Sequence, residues 1–353
     1  MSVDEGGAGR MEPDDTLDAR ALKPWLFENV AGFRGLRTIE KLGGGQSNPT
    51  YRIEADSGLY ALRAQPPGAL LRGAHAVDRE YRVMRALHGS DVPVPRMLAL
   101  CDDPDDSPLD RKFLVMELLD GETHHDPALP GHAREDRAPL LNALTTMLAA
   151  LHALDPDDLG LADYGRAGGY FERQLGVWTR QYRASETEPI EAMERLIERL
   201  ERDMPPDDGA VALVHGDWRL DNLMFAHGAP RVVGVLDWEL STLGHPMADL
   251  AYQIMAWRLP HDGPFRGLGG LDRAALGLPS DADTVALYCE RRGVEPPDWF
   301  EFAVAHAAFR FAAILQGVFK RSIQGNASDP MRARQLGRAV PMLARSALDW
   351  VGA

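Results

Sequence analysis

Two short apolar runs, each ending in carboxylates, constrain this chain more than any other feature. Residues 211–214 read Val-Ala-Leu-Val and lead into His215-Gly216-Asp217-Trp218-Arg219-Leu220-Asp221-Asn222. Residues 232–236 read Val-Val-Gly-Val-Leu and lead into Asp237-Trp238-Glu239. Short apolar, β-branched runs bounded by turn-forming residues read as buried strands. Asn222 follows Asp217 by five residues, and Asp237 follows Asn222 by fifteen. Two strands that deliver carboxylates and an amide to one edge suit phosphoryl transfer from MgATP. That chemistry needs metal ligands, a carboxylate near the attacking hydroxyl and groups that hold phosphates, with little covalent work for the protein.

Taken singly, Asp217 and Asn222 are ordinary turn residues. Asp237 resists that reading, because it closes a strand and an unpaired buried carboxylate is costly. His215 reads as hydrogen-bonded support for the loop, and Trp218 and Trp238 read as packing. Asp249 sits in an apolar helical stretch, Gly244-His245-Pro246-Met247-Ala248-Asp249-Leu250-Ala251. It is expected to anchor the loop's backbone.

Ahead of these motifs the pattern is mostly strands. A lead-in helix over 17–30, broken or restarted at Pro24, precedes a strand at 38–42. Gly43-Gly44-Gly45-Gln46-Ser47-Asn48 forms a glycine-rich turn, followed by strands at 50–54 and 59–63. A helix over 75–87 carries Val77, Tyr81, Met84 and Leu87 at helical spacing. Strands at 97–101 and 112–118 complete this half. From residue 119 the pattern turns helical, at 140–154, 169–186, 190–202, 246–257, 282–292, 299–321 and 331–351. The expectation is an α+β fold of two lobes after a disordered tail over 1–15. Residues 16–118 form a small lobe with a five-stranded antiparallel sheet and a helix, and 119–353 form a large, mainly helical lobe.

His215-x-Asp217-x-x-x-x-Asn222 together with Asp237-x-Glu239 resembles the catalytic loop and metal-binding motif of aminoglycoside and choline phosphotransferases, relatives of the protein kinases. The resemblance implies a protein-kinase-like fold, with ATP and Mg2+ as cofactors. Asp217 would be the catalytic base toward an alcohol. Asn222 and Asp237 would hold magnesium against the β- and γ-phosphates. Gly43, Gly44, Gly45 and Ser47 would form the phosphate-approaching turn; glycine lacks a Cβ and lets backbone come close. It is not a Walker A loop, since no Gly-Lys-Ser/Thr follows and the next element is a strand. In Tyr60-Ala61-Leu62-Arg63, Arg63 stands where kinases carry Ala-x-Lys, and its fork can still neutralise phosphate oxygens. Its expected partner is Glu80. Phe113-Leu114-Val115-Met116-Glu117-Leu118 resembles the adenine-binding hinge, with Glu117 and Leu118 offering main-chain contacts.

Longer phrases narrow the resemblance. Leu62-Arg63-Ala64-Gln65-Pro66-Pro67-Gly68, Leu236-Asp237-Trp238-Glu239-Leu240-Ser241-Thr242-Leu243-Gly244 and Gly325-Asn326-Ala327-Ser328 look like the kinase-like domain fused to acyl-CoA dehydrogenases. That group implies a hydroxyacyl-CoA acceptor. Within these 353 residues no dehydrogenase domain is expected. Arg258, Arg310, Lys320 and Arg321 on the late helices are either solvated surface cations or contacts for a CoA phosphate. An aminoglycoside- or choline-type kinase is the alternative among enzymes. A non-catalytic nucleotide-binding regulatory module is the alternative outside them, with Arg63 as its argument. A protein kinase fits less well: Trp-Glu follows Asp237 where Phe-Gly would, and no Ala-Pro-Glu segment appears.

With 38 Lys and Arg against 53 Asp and Glu, the net charge of −15 opposes nucleic-acid binding and would suit a cationic substrate. Cys101 and Cys289 stand alone, so no zinc cluster or disulfide framework is expected and a reducing cytoplasm is the simplest location. The first ten residues lack the apolar core of a signal peptide, and no apolar run reads as a membrane span.

Overall fold

Asp18 starts the first helix, α1 (Ala19–Asn29), by accepting the N–H of Arg20 at 2.8 Å and of Ala21 at 3.3 Å. The helix runs unbroken through Pro24, which corrects the expected break. Leu22 and Leu26 are fully buried and hold α1 to the sheet, while Pro24 forfeits a single backbone bond on the exposed face. The computed structural model describes residues 17–43, 48–67, 76–325 and 330–352. The expected tail over 1–15, along with Gly44, Gly45 and Ser47, lies outside the described residues.

The chain divides into two units. The smaller comprises residues as far as Arg85 together with Pro95–Leu118. Its strands β1 (Leu36–Lys41), β2 (Thr50–Ala55) and β3 (Gly58–Ala64) precede α2 (Val77–Leu87), and β4 (Met97–Cys101) and β5 (Phe113–Glu117) follow it. They form one antiparallel sheet in the order β1-β2-β3-β5-β4. Alternation sends Tyr51, Ile53 and Ala55 of β2 into a core shared with Leu22, Leu26, Phe33, Phe113 and Val115. The register places Arg63 opposite Thr50 on one side and Leu114 on the other.

The larger unit comprises Ala86–Val94 and Leu119–Ala353. After β6 (Glu122–Thr123) come α3 (Arg134–Ala153), α4 (Tyr170–Ser185) and α5 (Glu191–Arg202). Four short strands follow: β7 (Ala212–Val214), β8 (Leu223–Phe225), β9 (Val232–Val235) and β10 (Thr242–Gly244). Helices α6 (Met247–Arg258), α7 (Arg273–Leu276), α8 (Asp281–Arg292), α9 (Phe300–Ile323), α10 (Pro330–Gly337) and α11 (Val340–Trp350) complete the unit. The strands pair as β6-β8-β9 and as β10-β7. The single helix expected over 331–351 is two. Arg338 and Ala339 close α10 with bonds to Gln335 and Leu336, and Pro341, which has no N–H to give, opens α11. Helix α9 is by length and composition apolar enough to cross a membrane, which corrects the expectation that no such run exists. Here it is the core helix, mostly buried against α4, α6, α10 and α11.

Candidate active site

Strand β7 is buried along its length and ends at the loop His215-Gly216-Asp217. Gly216 has φ +85°, and a Cβ there would lie 2.5 Å from the Leu240 carbonyl oxygen, so only glycine passes this point without displacement. The chain then buries Trp218, makes a 3-10 turn over Leu220–Asn222 and enters β8. Leu223 of β8 pairs with Val235 of β9, and the Leu236 N–H donates to the Asn222 carbonyl at 2.9 Å. This hairpin register brings Asn222 beside the end of β9, where Asp237 follows. Asp237 holds φ +65°, a left-handed conformation that Asp and Asn tolerate better than most residues.

Side-chain bonds complete the loop. Asn222 Nδ2 donates to the Asp217 carbonyl at 2.8 Å and to its carboxylate at 3.2 Å. That turns the amide nitrogen toward Asp217 and the amide oxygen away from it. His215 Nδ1 accepts the Asp217 N–H at 3.2 Å, so its proton sits on Nε2, which donates to the Leu236 carbonyl at 2.9 Å. His215 therefore ties the Asp217 loop to the residue before Asp237, with Trp218 and Trp238 buried against its ring. Buried Asp249 on α6 accepts the backbone N–H of His215 at 2.6 Å and of Gly216 at 2.8 Å.

Three residues to which the sequence reading gave no role at Asp217 converge on its loop. Arg219 Nε lies 3.5 Å from its carboxylate, while Nη2 donates to Asp221 at 2.5 Å. The Tyr252 hydroxyl, on α6, is a further polar neighbour that favours the ionised Asp217 carboxylate. Arg310, on α9, donates to the Gly216 carbonyl at 2.7 Å. Burial alone would raise the Asp217 carboxyl, but Arg219, the Tyr252 hydroxyl, His215 and Arg310 together hold it below the usual carboxylate range. Burial and the Asp217 charge push the Tyr252 phenol well above its ordinary value, so it stays a donor. Each residue had a faint cue in the sequence. Arg219 is inside the motif, Tyr252 falls three residues after Asp249, and Arg310 is the lone Lys or Arg in the apolar stretch 300–319.

Alongside, within the large unit, a pocket is walled by Trp218, Tyr252, Trp257, Phe265 and Phe311. Arg219, Arg266 and His125 also line it, and Asp221 is the carboxylate among its lining residues.

In the small unit, Arg63 Nε and Glu80 Oε2 meet at 2.8 Å, with side chains 12% and 2% exposed. Gly43 lies in an exposed turn, where a Cβ would meet nothing within 4 Å. The Glu117 N–H donates to the Arg96 carbonyl at 2.9 Å. Leu118 follows β5 and is partly exposed. Most of the late-helix cations are not the open surface groups expected. Arg258 pairs with Asp281 at 2.8 Å and Glu301 at 2.5 Å, Lys320 donates to the Ala184 carbonyl at 2.7 Å, and Arg310 points to the Asp217 loop. Arg321 is exposed.

Residues 38–282 match the phosphotransferase enzyme family. The chain belongs to that family. Over 339 residues it is 44% identical to acyl-CoA dehydrogenase family member 10 of Mus musculus, across 96% of this chain and 31% of that protein. The kinase domain thus spans about a third of that relative's length. An aminoglycoside-phosphotransferase-like crystal structure from Ralstonia eutropha JMP134 is 43% identical, with TM-score 0.84 over 94% of this chain and 98% of its own. The spectinomycin phosphotransferase APH(9)-Ia, solved with ADP and spectinomycin, shares the fold at TM-score 0.59 and 13% identity, over 94% of this chain and 98% of its own. This phosphotransferase is a small-molecule kinase, and the implied α+β kinase-like fold holds.

Proposed function

We propose that this kinase transfers the γ-phosphoryl group of MgATP to the hydroxyl of a hydroxyacyl-CoA. The observation that carries the choice of acceptor is the pocket beside Asp217. Its walls are largely apolar, part aromatic and part aliphatic, its cations are Arg219 and Arg266, and its carboxylate, Asp221, is engaged by Arg219 at 2.5 Å. Such a surface favours an apolar chain with a neutral or anionic head. It disfavours a polycationic aminoglycoside, whose ammonium groups would need unpaired carboxylates. The acyl-CoA dehydrogenase name of the 44%-identical relative points the same way.

Asp217 would accept the acceptor's proton as the new O–P bond forms and the bond to the β-phosphate oxygen breaks, releasing ADP. Held ionised and aimed by its neighbours, it needs no reorganisation at that moment. Asn222 Oδ1 and the Asp237 carboxylate are hard oxygen donors of the kind magnesium takes, and the Leu236 N–H bond to the Asn222 carbonyl ties the residue before Asp237 to Asn222. Among the described residues no three His, Cys, Asp or Glu gather to hold a metal. Magnesium keeps several waters and phosphate oxygens, so one carboxylate and one amide fit it. Bound there, the ion would neutralise charge on the β- and γ-phosphates. Arg63, fixed by Glu80, would do the same for phosphate oxygens nearer the ribose.

Mass spectrometry of MgATP reactions with hydroxyacyl-CoAs, aminoglycosides and choline-like amino alcohols tests the proposal, with wild type beside Asp217→Asn. A phosphorylated hydroxyacyl-CoA from wild type alone is the expected result. Phosphorylation of only the cationic acceptors would overturn the acceptor class, and a fully active Asp217→Asn would overturn the base.

A further inference from the structure

Asp217 is held from two sides by residues that come from different helices and contact each other. Arg310 of α9 donates to the Gly216 carbonyl, which belongs to the peptide that continues into Asp217. Its guanidinium lies over two rings, 5.6 Å from the centroid of Trp178 on α4 and 5.8 Å from that of Tyr252 on α6. Tyr252 forms part of the pocket wall beside Trp218 and Arg219, and its hydroxyl favours the ionised Asp217 carboxylate. Tyr252 and Asp249 are three residues apart on α6, so one face of that helix holds both the backbone and the side chain of the loop.

We infer that Arg310 and Tyr252 act as one positioning unit for the phosphoryl-transfer base. Arg310 fixes the peptide ahead of Asp217, and Tyr252, in contact with that guanidinium, steadies the carboxylate that follows. The inference rests on the reading of Asp217 as the base. Gly216 gives the physical reason for such a device. A glycine at positive φ has a wide conformational range, and without an outside clamp the following residue would sample it. A guanidinium attracted to two ring faces resists displacement.

The test uses Tyr252→Phe, Arg310→Met, Arg310→Lys and the Tyr252→Phe/Arg310→Met double variant, with Asp217→Asn as reference. Two rates are read: transfer to a hydroxyacyl-CoA and hydrolysis of MgATP with water as acceptor. Both are expressed per site that binds a non-hydrolysable ATP analogue, so that loss of folded protein does not count. Each single variant should lose ~10- to 100-fold in kcat with KM for MgATP within about twofold, the size of effect that misplacing a reacting group by an ångström produces. The double variant should fall no further than about the worse single one, since residues acting as a unit are not additive. Arg310→Lys, which keeps a donor for Gly216, should recover part of what Arg310→Met loses. Single variants with wild-type kcat per binding site, or losses that multiply in the double variant, would overturn the inference while leaving the base reading intact. A wild type that neither phosphorylates any acceptor nor hydrolyses MgATP would overturn both.

Discussion

His152 and Asp249 meet at 3.3 Å inside the large unit, with both side chains shut off from solvent. A carboxylate only accepts, so the His152 proton sits on Nε2, and Nδ1 accepts the Tyr288 hydroxyl at 2.7 Å. Burial pulls His152 below its ordinary value against the raising effect of Asp249. Burial would raise Asp249, but its bonds from His152 and the Gly216 N–H hold it low. A chain of bonds therefore runs from α8 through α3 and α6 to the backbone under Asp217.

Asp249→Asn keeps the shape of that side chain but replaces one acceptor oxygen with an amide donor facing another donor. The variant should lose about 2–5 kcal/mol of stability, the cost of leaving buried donors unmet. Urea denaturation measures it, and an unchanged midpoint would mean the loop does not depend on this anchor.

Asp237 separates a backbone role from a ligand role. Asp237→Asn should keep the left-handed conformation at little cost, whereas Asp237→Ala should lose about 1–2 kcal/mol more. Both should lower kcat by ~100-fold or more if Asp237 holds the metal, and raise the magnesium concentration needed for half-maximal rate. Calorimetry and a magnesium titration on the same samples distinguish the two effects. Equal melting of both variants would show that the backbone places no demand on the residue.

Glu80→Ala would leave the Arg63 guanidinium in a buried place without its carboxylate. Breaking such a pair costs about 3–5 kcal/mol, and Glu80→Gln should cost less. Arg63→Met should raise KM for MgATP by ~10-fold or more while the acceptor KM stays put, the pattern expected of a phosphate contact. Steady-state kinetics with each substrate varied in turn would show it. A shift in the acceptor KM alone would remove Arg63 from nucleotide binding.

His306 ties the stability of the large unit to acid. Burial, helped by the Arg310 charge, pushes this imidazole from 6.5 down to about 3, against the raising effect of the Phe171 backbone. The folded state then carries fewer protons than the unfolded chain below pH 6.5. Its contribution is present above 6.5 and is lost as pH falls toward about 3, by ~1.4 kcal/mol per pH unit. His152 and His245 shift in the same direction and steepen the loss. Thermal melting between pH 7.5 and 5 should show the decline, and His306→Phe, set among Phe171 and Phe302, should flatten it by one proton's share. An identical pH slope in that variant would mean His306 is not the group that titrates.

What could be read along the chain was whatever repeats locally. The alternation in β2 and the apolar runs of β7 and β9 carry their own period, so the sheet, the loop and the positions of Asp217, Asn222 and Asp237 at strand ends follow from neighbours in sequence. Boundaries were less legible where a local signal competed with packing. Pro24 alone argues for a break, and buried Leu22 and Leu26 override it.

The groups that hold Asp217 in place had no such signature. Arg310 reaches Gly216 across 94 residues, and His152 reaches Asp249 across 97. Arg310 looked like a surface cation because its helix was read without its neighbours, and its direction depends on where α4 and α6 lie. Sequence by itself determined which chemical groups this kinase carries and the strands that present them. Tertiary structure decided their partners, because hydrogen bonds and ring contacts depend on distances that chain order does not set.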